Sequence, residues 1–234
     1  MQVYYAPGIN GRDWTLDATE SKHLVRVLRM KESDEVRLID GNGNLYEAVI
    51  SDADPGACRV TVKNVITDFE KRGYRIHIAI SPLRNPERFE WFLEKCVEIG
   101  LDEITPLICR NSEKQSIREA RLNSIIISAM KQSLKARLTR LNGPMKFSEF
   151  IISAESSLTC LAHCSAVTEK QSIASFYRRG SDITILIGPE GDFTGEEIRM
   201  AVDHGITPVH LGPSRLRSET AGVAACHSVY FLNQ

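Results

Sequence analysis

Residues 183–187, ITILI, are apolar almost without break and run straight into a glycine-proline bend. A strand with one wet face alternates apolar and polar residues. A run like this one must be covered on both faces, as happens in a parallel sheet flanked by helices. The bend Gly188-Pro189-Glu190-Gly191-Asp192 then gives way to a helix whose start is specified twice. Thr194 and Glu197 have capping-box spacing, and Phe193 and Ile198 stand where a hydrophobic staple closes. Buried strand, tight bend and capped helix together predict an α/β layer, a class that binds ligands at the carboxyl ends of its strands.

The same rhythm holds from Tyr74 onward. YRIHIAI, EITPLIC, LTCLAHC, DITILIG and PVHLG read as strands. PERFEWFLEKCVEIG reads as a helix burying Phe89, Phe92, Leu93, Cys96 and Val97, with Gly100 as its stop. Further helices are expected over 117–137, FSEFIISA, SIASFYRR, 194–204 and 218–232. The first 68 residues differ. QVYYA, the two halves of EVRLIDGNGNLYEAVIS around Gly41-Asn42-Gly43, and ACRVTVKNVI are short strands with a hairpin signal. One helix, TESKHLVRVLRM, interrupts them, with Leu24, Val27 and Leu28 as its apolar face and Lys22, Arg26 and Arg29 opposite. The charged stretch DFEKRG marks a boundary. The chain thus divides into a small β-barrel-like domain, residues 1–70, and an α/β domain with a mostly parallel sheet, residues 71–234.

No apolar segment approaches the roughly 18 residues a membrane span needs, and the amino terminus lacks the basic start and apolar stretch of a signal peptide. A cytoplasmic protein with no membrane association is expected. The six cysteines are scattered. Cys160, His163 and Cys164 in CLAHC are the closest grouping, but no second pair at zinc spacing follows, so the segment SLTCLAHCS reads as a strand and no metal is expected. The net charge of −1 hides an uneven distribution. Between Arg110 and Arg140 eight basic residues face two acids, which is either a solvated helix face or a track for a phosphate backbone.

The 188–193 loop is not a nucleotide loop of the Walker or dinucleotide kind, nor a nucleophile elbow, because the required Gly-Lys-Ser/Thr, G-x-G-x-x-G and G-x-S-x-G are absent. Alone it is a ligand loop or simply a turn. A second corner, VHLGPSRLRSETAGVAA, repeats the pattern of strand, glycine-proline bend and helix. Ser218 is the expected helix cap there. Arg217 and Glu219 project from the turn, and Ala221, Gly222, Ala224 and Ala225 allow close packing of the last helix.

LIGPEGDFTGEEI and LGPSRLRSETAGVAA resemble the two signature segments of the RsmE-type ribosomal RNA uridine-N3-methyltransferases of the SPOUT superfamily. HLVRVLRMKESDEVRLIDGNG resembles that family's PUA-like RNA-binding domain. FEWFLEKCVEIGLDEITPL and RLNSIIISAMKQS resemble segments of its catalytic domain, so the likeness runs in order from His23 almost to the end. The resemblance implies a SPOUT domain with a deep trefoil knot, a homodimer, S-adenosyl-L-methionine as methyl donor, and a uridine of 16S rRNA in the small ribosomal subunit as acceptor.

Carried over by position, the donor pocket is implied to comprise Leu161, Ala162 and His163; Ile187, Gly188, Pro189, Glu190 and Gly191; and Leu211, Gly212, Pro213 and Leu216. Arg217 and Glu219 are implied at the reacting end, Arg217 stabilising charge on the uracil oxygens and Glu219 orienting it, with no general base evident. RNA contact is expected from Lys22, Arg26 and Arg29 together with Arg110, Lys131, Lys135 and Arg137. Three positions depart from the pattern. Asp192 and Leu134 stand where glycine is common, and Ser214-Arg215 replaces a more usual arginine and apolar residue. A SPOUT enzyme acting on another RNA, such as a tRNA ribose, and a non-catalytic assembly factor are the rival readings.

Overall fold

The computed structural model describes residues 2–153 and 158–234, so Ala154 of the expected helix FSEFIISA and Ser157 of the expected strand SLTCLAHCS lie outside the described residues. The chain forms two compact units, one of Met1–Lys71 with Ile127–Leu138 and one of Arg72–Ile126 with Thr139–Gln234.

The first unit holds β1 (Val3–Tyr5), β2 (Asp13–Thr15), α1 (Ala18–Lys22) continued by one π-helical turn (His23–Val27), β3 (Glu35–Ile39), β4 (Leu45–Asp52) and β5 (Arg59–Ile66). Its five strands form one sheet in the order β1-β3-β4-β5-β2. The hairpin β3–β4 is antiparallel and closes at Ile39 opposite Leu45, where the Gly41-Asn42-Gly43 bend was expected. Asp40 stabilises that bend by accepting the Asn42 and Asn44 amides at 2.7 and 3.1 Å. The helix departs from its predicted phase. Leu24 is buried, but Val27 is 61% and Leu28 40% exposed. The π turn widens the helix, so the i, i+3, i+4 face does not carry through it.

The second unit holds β6 (Ile76–Ile80), α2 (Pro86–Ile99), β7 (Glu103–Ile108), α3 (Glu119–Gln132), β8 (Arg140–Leu141), β9 (Met145–Lys146), α4 (Phe147–Ser153), β10 (Leu158–Ala162), β11 (Gln171–Ser172), α5 (Ile173–Phe176), β12 (Ile183–Ile187), α6 (Gly195–Asp203), β13 (Thr207–His210) and α7 (Ser218–Leu232). The end of α3, from Ile127 onward, counts with the first unit. The strands form one sheet in the order β11-β13-β10-β12-β6-β7-β8, with β9 also on β7, and their pairings are parallel. β12 is buried at every position, as its unbroken apolar run requires.

α2 buries the predicted Phe89, Phe92, Leu93, Cys96 and Val97. Asn85 caps it by accepting the Glu87 amide, Pro86 occupies the first turn, and Gly100 leaves it at φ +119°. Two helices are shorter than expected. α3 ends at Gln132 because Leu134 turns left-handed at φ +59°. α5 is a single turn, since Tyr177 returns to extended backbone and its hydroxyl donates to the Ser181 carbonyl. Strands β2, β8, β9 and β11, two or three residues each, are too short to leave a periodic signal.

Candidate active site

Three strand ends build the site. β10 lies between β12 and β13, with Ala162 opposite Ile187 on one side and Val209 on the other. The bends at 188–189 and 212–213 therefore flank the end of β10. They stand two strand spacings apart, roughly 10 Å, rather than side by side, and His163 emerges between them. Leu161, Ala162 and His163, residues 187–191, and residues 211–213 with Leu216 all belong to this one edge.

The loop at 188–193 is pinned from four directions. Asp192 sits at φ +61°; its carboxylate accepts the Phe193 amide and, through Oδ2, the Cys164 amide just past β10, each at 2.9 Å. Asparagine and aspartate tolerate this region better than most residues, and here the aspartate also ties one strand end to the next. Glu190 Oε1 accepts the Arg84 amide at 3.0 Å, which commits its side chain to the protein. Asn111 donates to the Gly191 and Asp192 carbonyls at 3.2 and 3.0 Å. The capping box of Thr194 and Glu197 is complete, and Glu197 Oε1 also accepts the Arg110 amide at 2.8 Å.

The glycines divide the labour. A Cβ on Gly188 would stand 3.1 Å from the Phe193 ring, so the loop's own packing takes up that space, and its backbone is not left-handed. Gly212 is the reverse. It has φ +116°, and nothing lies within 4 Å of where its Cβ would be. That bend needs glycine for its conformation and leaves an open face beside it.

His163 is nearly buried, with Nε2 3.2 Å from the Thr168 hydroxyl. Burial pushes the imidazole pKa down, and the nearby Lys170 charge pushes the same way, outweighing the opposite pull of the Asp192 carboxylate and of a backbone hydrogen bond at Ser165. At the start of α7, Arg217 occupies the cap position that Ser218 was expected to fill, and it makes no side-chain cap bond. Ser218 is instead buried as the first helical residue. Arg217 is exposed. Glu219 is buried, and its Oε1 faces Arg88 Nε at 3.8 Å. Among the described residues no ion pair joins Glu219 to Arg217, so the orienting contact expected between them is absent. Arg88 was missed because its acid partner lies in a distant segment that no local pattern connects to it.

The basic segment is largely compensated by acids remote in sequence. Lys131 pairs with Glu20 and stands 5.9 Å from the Tyr4 ring centre. Arg137 pairs with Asp68 at 3.7 Å, and Arg110 with Glu196 at 2.6 Å. Lys135 is half-buried, while Lys22, Arg26 and Arg29 are exposed. Among the described residues no group of three or more His, Cys, Asp or Glu could hold a metal, and no helix is long and apolar enough to cross a membrane. Two cavities of about 550 and 690 Å³ open at the other edge, at the amino ends of the strands; His77, Thr105, Asn142 and Thr184 line the first.

A sequence profile for an RNA methyltransferase domain matches residues 70–230, and one for an RNA methyltransferase PUA domain matches residues 16–63. The ribosomal RNA small subunit methyltransferase E 2 of Borreliella burgdorferi is 30% identical over 213 residues, covering 88% of this chain and 85% of its own. The crystal structure of a probable rRNA-methyltransferase from Porphyromonas gingivalis is 41% identical and superposes with a TM-score of 0.94, over 100% of this chain and 98% of that one. A methyltransferase structure from Legionella pneumophila, solved in complex with the bound cofactor SAM, is 27% identical with a TM-score of 0.87, over 99% and 97% of the two chains.

Proposed function

The chain belongs to the RNA methyltransferase family whose domain spans residues 70–230, and we propose that it transfers the methyl group of S-adenosylmethionine to N3 of a uridine in 16S rRNA of the small ribosomal subunit. The observation that carries this reading is the convergence of three parallel strand ends on one edge, with an open, glycine-dependent face at Gly212. The relatives named as small-subunit rRNA methyltransferases, and the SAM-bound Legionella structure, support the acceptor and the donor.

The residues present suit that donor. A nucleoside can lie against the open backbone at Gly212. Burial of His163 disfavours a second positive charge beside a sulfonium. Backbone groups at 161–163, 187–191 and 211–213, with Leu216, hold it. When bound, it supplies a methyl group that is already electrophilic because it sits on a sulfonium. The chain's own task is then mainly orientation of the acceptor base. Arg217, exposed at the start of α7, stabilises negative charge developing on the uracil carbonyl oxygens.

RNA is held by Lys22, Arg26 and Arg29 together with Lys135, Arg137 and Arg110, while Lys131, bound to the buried Glu20, adds its charge from where it stands. The ion pairs of Arg137 and Arg110 do not prevent this, because exposed pairs are worth about 0–1 kcal/mol and exchange readily for phosphate. We place the protein in the cytoplasm with its ribosomal substrate. We read it as a homodimer whose last helix is threaded to form the trefoil knot of the SPOUT superfamily; the return of α7 from edge-side β13 to pack on α2 and β6 supports that threading. Nucleoside analysis of 16S rRNA from cells with and without the gene tests the assignment. Loss of one 3-methyluridine is expected; an unchanged nucleoside profile would overturn it.

A further inference from the structure

We infer that Glu219 is the proton acceptor for methyl transfer and that Arg88 is the residue that positions it, an inference that rests on the imide acceptor proposed above. Glu219 is 6% exposed, and its Oε2 has no hydrogen-bond partner. Leaving a buried carboxylate oxygen unmet is costly because its desolvation is not repaid, so such atoms call for a reason. Glu197 supplies the contrast. It too is a first-turn helical acid with little exposure, yet both of its oxygens are bonded, one to the Arg110 amide and one to Thr194. A favourable interaction of the acid with the helix amino terminus therefore does not explain why one oxygen of Glu219 is buried without a partner.

The position of Glu219 along α7 fits such a role. Gly222, one turn further along α7, packs on Phe92 and on Ile80, the last residue of β6. Glu219 precedes it towards the 212–217 bend, at the strand edge where the donor pocket is assembled. Arg88 lies in the first turn of α2, which begins just beyond the end of β6. Its Nε stands 3.8 Å from Glu219 Oε1, beyond hydrogen-bond reach. The guanidinium thus compensates the charge without a hydrogen bond to the carboxylate, and Oε2 is buried without a partner.

The imide N3 of uracil is only weakly acidic and keeps its proton near neutral pH, so a nitrogen that is to accept a methyl group must lose a proton to something. In this assignment Glu219 Oε2 takes the N3 proton, and the freed nitrogen pair forms the N–CH3 bond. The S–CH3 bond breaks with its electron pair remaining on sulfur. The products are the N-methylated base, a neutral thioether and a protonated Glu219, which returns its proton to water before the next turnover.

The test uses full-length wild type, Glu219→Gln, Arg88→Ala and Arg88→Lys with small ribosomal subunits and methyl-labelled donor, alongside calorimetric donor binding and melting temperature. Glu219→Gln should lower kcat by about 10²–10⁴-fold, the usual range for a lost proton-transfer group, with donor affinity within a few-fold of wild type. Its residual rate should climb roughly tenfold per pH unit, because transfer then waits for imide already ionised, where wild type is flat. Arg88→Ala should lower kcat with donor affinity and KM unchanged, and Arg88→Lys should recover most of it. Wild-type kcat in Glu219→Gln, or losses in either variant that merely track donor affinity or melting temperature, overturn the inference alone. A wild-type protein that leaves the subunit unmethylated removes the underlying reading as well.

Discussion

Gly222→Ala sets two familiar effects against each other at one atom. Alanine is favoured over glycine in a helix interior by about 1 kcal/mol, so propensity alone predicts a more stable protein. The packing predicts the opposite. The added Cβ would stand 2.4 and 2.7 Å from two Phe92 ring carbons and 3.4 Å from the Ile80 terminal methyl. Both neighbours are fully buried, so neither can swing into solvent. Overpacking of this kind costs about 1–3 kcal/mol, and an enclosed ring puts it at the upper end. The net is a destabilisation of about 1–2 kcal/mol, or a fall in Tm of about 2–8 °C for a chain of this size. Thermal unfolding by circular dichroism measures it. Phe92→Leu in the same chain should relieve the clash, so the double variant should be less destabilised than the sum of the two single changes by at least about 0.5 kcal/mol. Because α7 begins at Arg217 and Glu219, methyl transfer should fall together with stability. A Gly222→Ala protein that melts above wild type would refute the claim that this helix is held against α2 by backbone approach.

Other consequences follow from the same geometry. Asp192→Ala retains the left-handed backbone at a cost of about 1–2 kcal/mol and loses both amide contacts, worth about 1 kcal/mol each, whereas Asp192→Gly loses only the contacts. Calorimetric donor affinity should rank wild type, then glycine, then alanine, and equal affinities would count against the pinned loop. Arg217→Ala should leave donor binding within a few-fold while abolishing methyl transfer, and unchanged turnover removes its proposed role. Burial lowers the pKa of His77 and His163 below their ordinary 6.5, so the unfolded chain takes up these protons at higher pH than the fold does. Their contribution to stability is complete above about 6.5 and is lost as the pH falls below it; urea titrations at pH 7.5 and 5.5 should show the decline, and His77→Gln should shrink it. Affinity for 16S rRNA should fall steeply with salt, with a log–log slope lowered by about one in Lys22→Ala, and a flat salt response would remove the basic residues as a phosphate track.

Local chemistry was enough to read much of this protein. The unbroken apolar run of β12, the capping box at Thr194, and the Asn85-Pro86 start and Gly100 stop of α2 each lie within a few residues of what they determine. The buried face of α2 was legible for the same reason, since helical spacing alone aligns Phe89, Phe92, Leu93, Cys96 and Val97. The two non-glycine residues at expected glycine positions, Asp192 and Leu134, do adopt left-handed backbone, so the conformation survives the substitution. The helix around Val27 was misread because a single π turn breaks the spacing that the reading relies on.

What the tertiary structure alone decided is which distant groups meet. The sequence places two glycine-proline bends after two strands, but strand order inserts β10 between them and brings His163 and the Asp192–Cys164 link into the site. The positive charge of 110–140 is a property of the chain; its compensation by Glu20, Asp68 and Glu196 is a property of the fold. Arg88 and Glu219 face each other only because α2 and α7 pack together. Periodicity and caps act over one or two turns of backbone, whereas charge pairing and hydrogen bonding act through space, between residues that only folding makes neighbours.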